Sequence, residues 1–439
     1  MIHLSLSCTA RTSFLFENDP DALGLAEKQI PYPDTDFFVV SDTHLYDTRL
    51  GTEGQAFQDY LDNDRKLLVL SDEIIGTALA GIAKQSADFV LVCGDLTKDG
   101  EMVCHKGMAR HLKKLTDAGK QVFVVPGNHD VANTEAVRFE GGNTHAVPAA
   151  GPREFEAIYK NFGYGRALDT DPHSLSYVAE PVDGMWLLAL DSCRWQENVK
   201  GHHPLVSGAF SKETLVWIEQ QLIKAKQNDK AVIVAMHHGA MEHYPANERF
   251  YDEYVIKDHK RFTELLAAYH VPLVFTGHFH AQDITLKKIG ERPVFDIETG
   301  SLVTAPCPHR KIELRNGNTA RITSTAIESI PSMGDAFGPY AREYVFKGTQ
   351  KLADTALAKY YVTPEQSALI NSQVAAAYTA HLRGDEILPP KAIDPTGFGY
   401  WLRVVSWMQE DLIQGWWTDL PPRDNNLVLK LDTGEVASA

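Results

Sequence analysis

Short apolar runs of five or six residues recur along the chain, and each closes on polar or glycine residues. They lie at 36–41 (DFFVVS), 88–93 (DFVLVC), 121–125 (QVFVV), 185–190 (MWLLAL), 231–236 (AVIVAM) and 271–276 (VPLVFT). β-branched and aromatic residues dominate them, and apolar runs this short, bounded by polar residues, predict buried strands. Between them, 67–84, 105–118 and 212–227 carry apolar residues at helical spacing. Gly119 stands where a helix should end, and Ser211 where one should begin, its hydroxyl able to accept a free first-turn N–H. Strands alternating with helices predict an α/β layered domain.

Two hairpins add antiparallel strands to this plan. Segments 174–179 and 185–190 flank Pro181-Val182-Asp183-Gly184, and segments 311–314 and 320–325 flank the turn-forming Asn316-Gly317. The expectation is therefore two mixed sheets packed inside helical layers. After about Glu328 the strand signals fade. Thr363-Pro364-Glu365 reads as a helix start with proline at the first position. Trp401, Val404, Val405, Met408, Leu412 and Ile413 repeat at helical spacing, which predicts a packing face. The organisation expected is a lead-in over 1–35, a catalytic-type domain over 36–328, and a smaller, mainly helical domain over 333–439 with a frayed tail.

Composition narrows the function. A length of 439 residues exceeds one average domain, and 44% hydrophobic with 23% charged residues is ordinary for a globular chain. The formal net charge of -16 argues against a protein that tracks an extended nucleic acid. It leaves room for a small anionic substrate, since bound cations reverse the local field. The five cysteines, Cys8, Cys93, Cys104, Cys193 and Cys307, form no C-x-x-C pair, so neither a disulfide framework nor a cysteine zinc site is indicated. No run reaches the length of a membrane span. The first ten residues lack a basic n-region and a long apolar stretch. A trimmed export signal around Cys8 stays open, and localisation is left divided between cytoplasm, slightly favoured, and export.

The chemistry sits where the runs end. Five of them close on Asp42-Thr43-His44, Gly94-Asp95, Gly127-Asn128-His129-Asp130, His237-His238 and Gly277-His278-Phe279-His280. The carboxyl ends of strands are where α/β sheets place their ligand sites. In D-x-H and H-x-H, residues two apart on an extended chain point the same way, so both reach one site. Each motif alone is common by chance, and D-x-H is more often a solvated turn. All five together, in order and each at a strand end, are not. His202-His203, in a polar loop, is read as functionless.

The series D-x-H, G-D, G-N-H-D, H-H and G-H-x-H resembles the calcineurin-like metallophosphoesterase superfamily, over about residues 36–327. More narrowly, Gly94-Asp95-Leu96-Thr97, Gly100-Glu101 and the Pro126 before G-N-H-D resemble bacterial class III cyclic-nucleotide phosphodiesterases, in their longer form with an added C-terminal helical domain. The resemblance implies a four-layer α/β (α+β) fold, a β-sandwich flanked by helices. It implies two transition-metal ions, manganese, iron or zinc, with Asp42, His44 and His280 on one, Asn128, His237 and His278 on the other, and Asp95 bridging. It also implies that His129 acts as general acid while a metal-bridging hydroxide attacks a small phosphoester, cyclic nucleotides among the candidates.

His238 is expected behind the metals or facing substrate. Asp130 either orients His129 or caps the following turn, and His105 is a further candidate from the start of its helix. The polar segment 46–72 reads either as a lid over the metals or as a surface insertion. The protein-phosphatase pattern G-D-x-x-D-R-G is absent, because Asp95 is followed by Leu96-Thr97-Lys98-Asp99-Gly100. Asp99 falls one place late for that pattern and is not assigned to His129. The expected activity is phosphodiester hydrolysis. Its alternatives are a phosphomonoesterase of small metabolites, a nuclease disfavoured by charge, and a non-catalytic metal-binding scaffold. Oligomeric state is not legible.

Overall fold

A computed structural model describes residues 13–438. The segment around Cys8 lies outside them. In chain order the first strands are β1 (Thr35–Val40), β2 (Phe89–Cys93), β3 (Gln121–Val125), β4 (Val137–Glu140) and β5 (Asn143–Ala146). Next come β6 (Asp169–Thr170), β7 (Tyr177–Val182), β8 (Met185–Ala189), β9 (Ala231–Ala235), β10 (Leu273–Thr276) and β11 (Asp283–Ile289). The last are β12 (Arg292–Glu298), β13 (Pro308–Arg315), β14 (Thr319–Ala326), β15 (Asn426–Lys430) and β16 (Val436–Ser438). They form two seven-stranded sheets, ordered β16-β15-β14-β13-β1-β2-β3 and β11-β12-β10-β9-β8-β7-β6, with β4 and β5 a separate pair.

Both sheets are mixed, as expected. β1, β2 and β3 run parallel, and so do β8, β9, β10 and β12, while the outer strands are antiparallel. Alternation along a strand explains how one run serves two layers. In β9, Ala231, Ile233 and Ala235 join the large core that spans both sheets. Val232 and Val234 instead join the cluster formed with helices Lys212–Gln227 and His259–Ala268. Covered on both faces, the central strands read as continuous apolar runs. Phe37 and Phe89 are register partners on β1 and β2, stacked with centroids 4.5 Å apart, and Phe275 of the other sheet meets Phe37 edge-on at 5.4 Å.

The predicted helices form at Ser71–Ala83, Met102–Asp117 and Lys212–Gln227, and the Ser211 hydroxyl accepts the N–H of Thr214. Gly119 takes a φ of +83°, as the end of its helix requires. Both hairpins form, with Asn316 and Gly317 at positive φ in the second turn.

The C-terminal part holds helices Phe337–Ala358, Pro364–Ser367, Asn371–Arg383, Tyr400–Met408 and Glu410–Trp416. Thr363 caps Pro364–Ser367 through the N–H of Gln366. Two details differ from expectation. The packing face of the last helices is Leu402, Val405, Leu412, Ile413 and Trp416, while Trp401 and Met408 are exposed. The tail does not fray: β15 pairs antiparallel with β14 and buries Leu427 and Leu429. Tyr378, Leu382, Leu412, Ile413 and Trp416 belong to the same core cluster as the sheets. No helix of the described residues is long and apolar enough to cross a membrane.

Candidate metal centre

The carboxyl ends of β1, β2 and β3 in one sheet face those of β9 and β10 in the other, and the five motifs meet there. Ligand atoms of Asp42, His44, Asp95 and His280 lie within 4.8 Å of one another, as do those of Asp95, His237 and His278, so Asp95 belongs to both groups. His280 Nε2 is 3.3 Å from Asp42 Oδ1 and 3.1 Å from His44 Nε2. On the other side His237 Nε2 is 3.3 Å from Asp95 Oδ2 and 3.0 Å from Asn128 Oδ1, and His278 Nδ1 is 3.1 Å from His237 Nε2. The donors that the sequence nominated therefore converge as two adjoining sets.

Backbone strain marks the same residues. Asp42, His44, Asp95, His278 and His280 all have positive φ, between 37° and 79°. This region costs a non-glycine residue about 1–2 kcal/mol, and such residues gather at functional sites. Close approach explains two of the glycines. A Cβ at Gly127 would collide with the carboxylate and backbone of Asp95, and one at Gly277 with Ser41 and the carboxylate of Asp42.

Hydrogen bonds set the direction of each donor. His237 Nδ1 donates to the carbonyl of Cys93, which turns Nε2 toward the cluster, and His278 Nε2 donates to the carbonyl of Glu253, which turns Nδ1 inward. Asp42 Oδ2 accepts from the Ser41 hydroxyl and the His278 N–H, and Asp95 Oδ1 accepts the N–H of His129. Asp42 Oδ1 is buried with no hydrogen-bond partner among the described residues. Burial opposes the charge on Asp42, yet the imidazoles of His280, then His44, close beside it hold its carboxyl well below the usual range. Burial likewise works against a charged His237, but Asp95 and then Asp42 push its pKa up to about 10. The carboxylates thus draw positive charge into the centre. An orphaned buried carboxylate oxygen, inward-facing imidazoles and a donor set of nitrogen and oxygen alone fit manganese, iron or zinc.

His129 stands beside this centre, its side chain 26% exposed, with Nε2 3.9 Å from Asp95 Oδ2. Its Nδ1 donates to Asp99 Oδ1 at 2.7 Å. This corrects the sequence reading, which left Asp99 unassigned because it stands one position late for a known pattern. Lys98 is buried between Asp99 and Glu101, with its ammonium 4.5 Å from the Tyr60 ring. Tyr60 belongs to helix Gln55–Asp62, formed by the polar segment that the sequence left as lid or insertion. Burial lowers the pKa of His129 and Lys66 adds to this, but the charge of Asp95 and the hydrogen bond and charge of Asp99 raise it overall.

The remaining candidates stand behind the centre. Asp130 accepts from the N–H groups of Leu96, Thr97 and Gly127 and from the Thr97 hydroxyl. It pins the G-D loop to the G-N-H-D loop, so its carboxylate contacts neither the His129 ring nor the turn that follows it. His105 joins the Asp130 carbonyl to the Tyr159 hydroxyl. His238 bridges the Ser192 hydroxyl and the Val206 carbonyl, its ring 4.3 Å from that of His278. His203 pairs with Glu135 at the surface.

A family model described as calcineurin-like phosphoesterase matches residues 35–282, more than half of the chain. The chain belongs to the calcineurin-like phosphoesterase family. A probable cyclic nucleotide phosphodiesterase of Coxiella burnetii (strain RSA 493 / Nine Mile phase I) is 24% identical over 194 residues, 44% of this chain and 60% of that protein's length. A dimetal phosphatase of Danio rerio is similar at 15% identity and TM-score 0.47, covering 67% of this chain and 97% of its own. Purple acid phosphatase PPD1 from yellow lupin (Lupinus luteus) seeds follows at 11% and 0.41, covering 68% and 53%.

Proposed function

We propose that this calcineurin-like phosphoesterase hydrolyses small phosphodiesters, cyclic nucleotides among them, with cations held by the two donor sets that share Asp95. Asp42, His44 and His280 would hold one ion, Asn128, His237 and His278 the other. Bound there, the cations would supply an acidified water for attack and neutralise the phosphoryl oxygens. The observation that carries the reading is the His129–Asp99 pair beside the shared carboxylate.

Asp99 accepts the Nδ1 proton, which fixes the imidazole and favours its charged form. Nε2–H then remains to donate to the oxygen of the departing alcohol. As the P–O bond breaks, that oxygen takes the proton and leaves as a neutral alcohol, with His129 left neutral. An alkyl alcohol is a poor leaving group, so a diester of this kind needs the acid most. The name of the Coxiella relative supports the diester class. The absent D-R-G pattern removes the arginine that a protein-phosphatase site would present.

The test is a panel of diesters, cyclic nucleotides included, each paired with its matching monoester, assayed with manganese-loaded protein. Faster turnover of diesters is expected. A consistent preference for monoesters would replace this reading with a phosphomonoesterase, and metal uptake without turnover of either ester would replace it with a non-catalytic metal-binding scaffold.

A further inference from the structure

The G-H-F-H loop runs directly into β11, and the first residue of that strand meets the C-terminal helices at a second buried group of donors. Ligand atoms of Asp283, His381 and Glu386 lie within 4.8 Å of one another, and all three residues are buried. His381 lies in the last turn of helix Asn371–Arg383, and Glu386 follows a turn in which Gly384 and Asp385 take positive φ. His381 Nδ1 is 2.7 Å from Glu386 Oε1 and 3.9 Å from Asp283 Oδ2. The other oxygen of Asp283 is taken by His243 Nδ1 at 2.9 Å.

Two buried atoms of this group, His381 Nε2 and Glu386 Oε2, are left without a hydrogen-bond partner among the described residues. The Glu386 side chain is 0% exposed. A buried carboxylate oxygen without a donor is costly, and an ion removes that cost. The nearby buried guanidinium does not remove it. Arg310 donates to the carbonyl oxygens of Asp283, Glu298 and Asp424 and to the Ser324 hydroxyl. Glu298 and Asp424 are buried close by, burial pushing the carboxyls of both well above their usual range, and Asp296 pairs with His243 at 3.1 Å. The adjoining carboxylates Asp385, Asp419 and Asp424 differ. Asp424 accepts the N–H groups of Ile284 and Asp385, and Asp385 accepts from the N–H of Asp424 and the Asn425 amide. Those bonds close a loop without help.

We propose that Asp283, His381 and Glu386 form a third cation site, separate from the paired centre, that binds one divalent transition-metal ion and fastens the C-terminal helices to the G-H-F-H loop. One imidazole nitrogen with two carboxylates suits zinc or manganese. The link to the loop is direct, because the His381 ring lies 5.1 Å from that of Phe279, the residue between His278 and His280.

The test counts ions rather than turnover, so it is independent of the activity proposed above. Metal-stripped full chain is reloaded with zinc, dialysed and subjected to elemental analysis. Three equivalents are expected for the wild type and two for Glu386→Gln. An unchanged count in a folded Glu386→Gln chain overturns the proposal. The Asp95→Asn chain, which keeps this group intact, covers the case in which Glu386→Gln does not fold. Crystals of it grown with zinc should show an anomalous peak among Asp283, His381 and Glu386, and the absence of that peak overturns the site.

Discussion

His129 and Asp99 form the pair on which the proposed chemistry turns, and a single atom change separates their contributions. Asp99→Asn keeps the side-chain volume but removes the charge that, after Asp95, favours a protonated His129. The pKa of His129 should then fall. A general acid must be protonated to act, so the alkaline limb of the rate profile should move to lower pH, with kcat reduced on the order of 10–100-fold. An unmoved limb would separate Asp99 from the acid. Asp99 was hidden in the sequence because pattern spacing stood in for geometry. Its signal was present, since the Lys98-Asp99-Gly100-Glu101 run packs a lysine between two acids that the fold buries. The seven proposed ligands were legible for the opposite reason, each ending or closely following an apolar run whose strand nature is plain.

Strand and loop together decide whether those ligands meet. The G-D loop and the G-N-H-D loop approach so closely that Gly127 lies against Asp95, while Asp130 ties both backbones together. Gly127→Ala should push the Asp95 carboxylate from its place and lower metal occupancy at the paired centre, measured by elemental analysis. Full occupancy in that variant would show that the loops yield more than their packing allows. Central strands were readable because both faces are covered and their middle positions are apolar. β15 was not. Its five residues, NLVLK, bury only Leu427 and Leu429, and its partner β14 lies about a hundred residues earlier in the chain. The misread packing face at Trp401 and Met408 has a similar origin. An aromatic stripe at helical spacing does not say which of two neighbouring stripes turns inward.

At the scale of the whole molecule, two mixed sheets bring the carboxyl ends of their parallel strands to one place, and the negative carboxylates gathered there suit cations in a chain of net charge -16. The C-terminal helices share the core of those sheets and stand against the loop that carries His278 and His280. The central claim is that this arrangement cleaves a phosphodiester with His129 as the acid. The most direct measurement compares manganese-loaded wild type and His129→Ala on diesters that differ only in the leaving alcohol, from alkyl to nitrophenyl. The account predicts retained metal and a loss of about 10²–10⁴-fold on the alkyl diester, shrinking toward nothing on the nitrophenyl diester. An equal loss on both would contradict it.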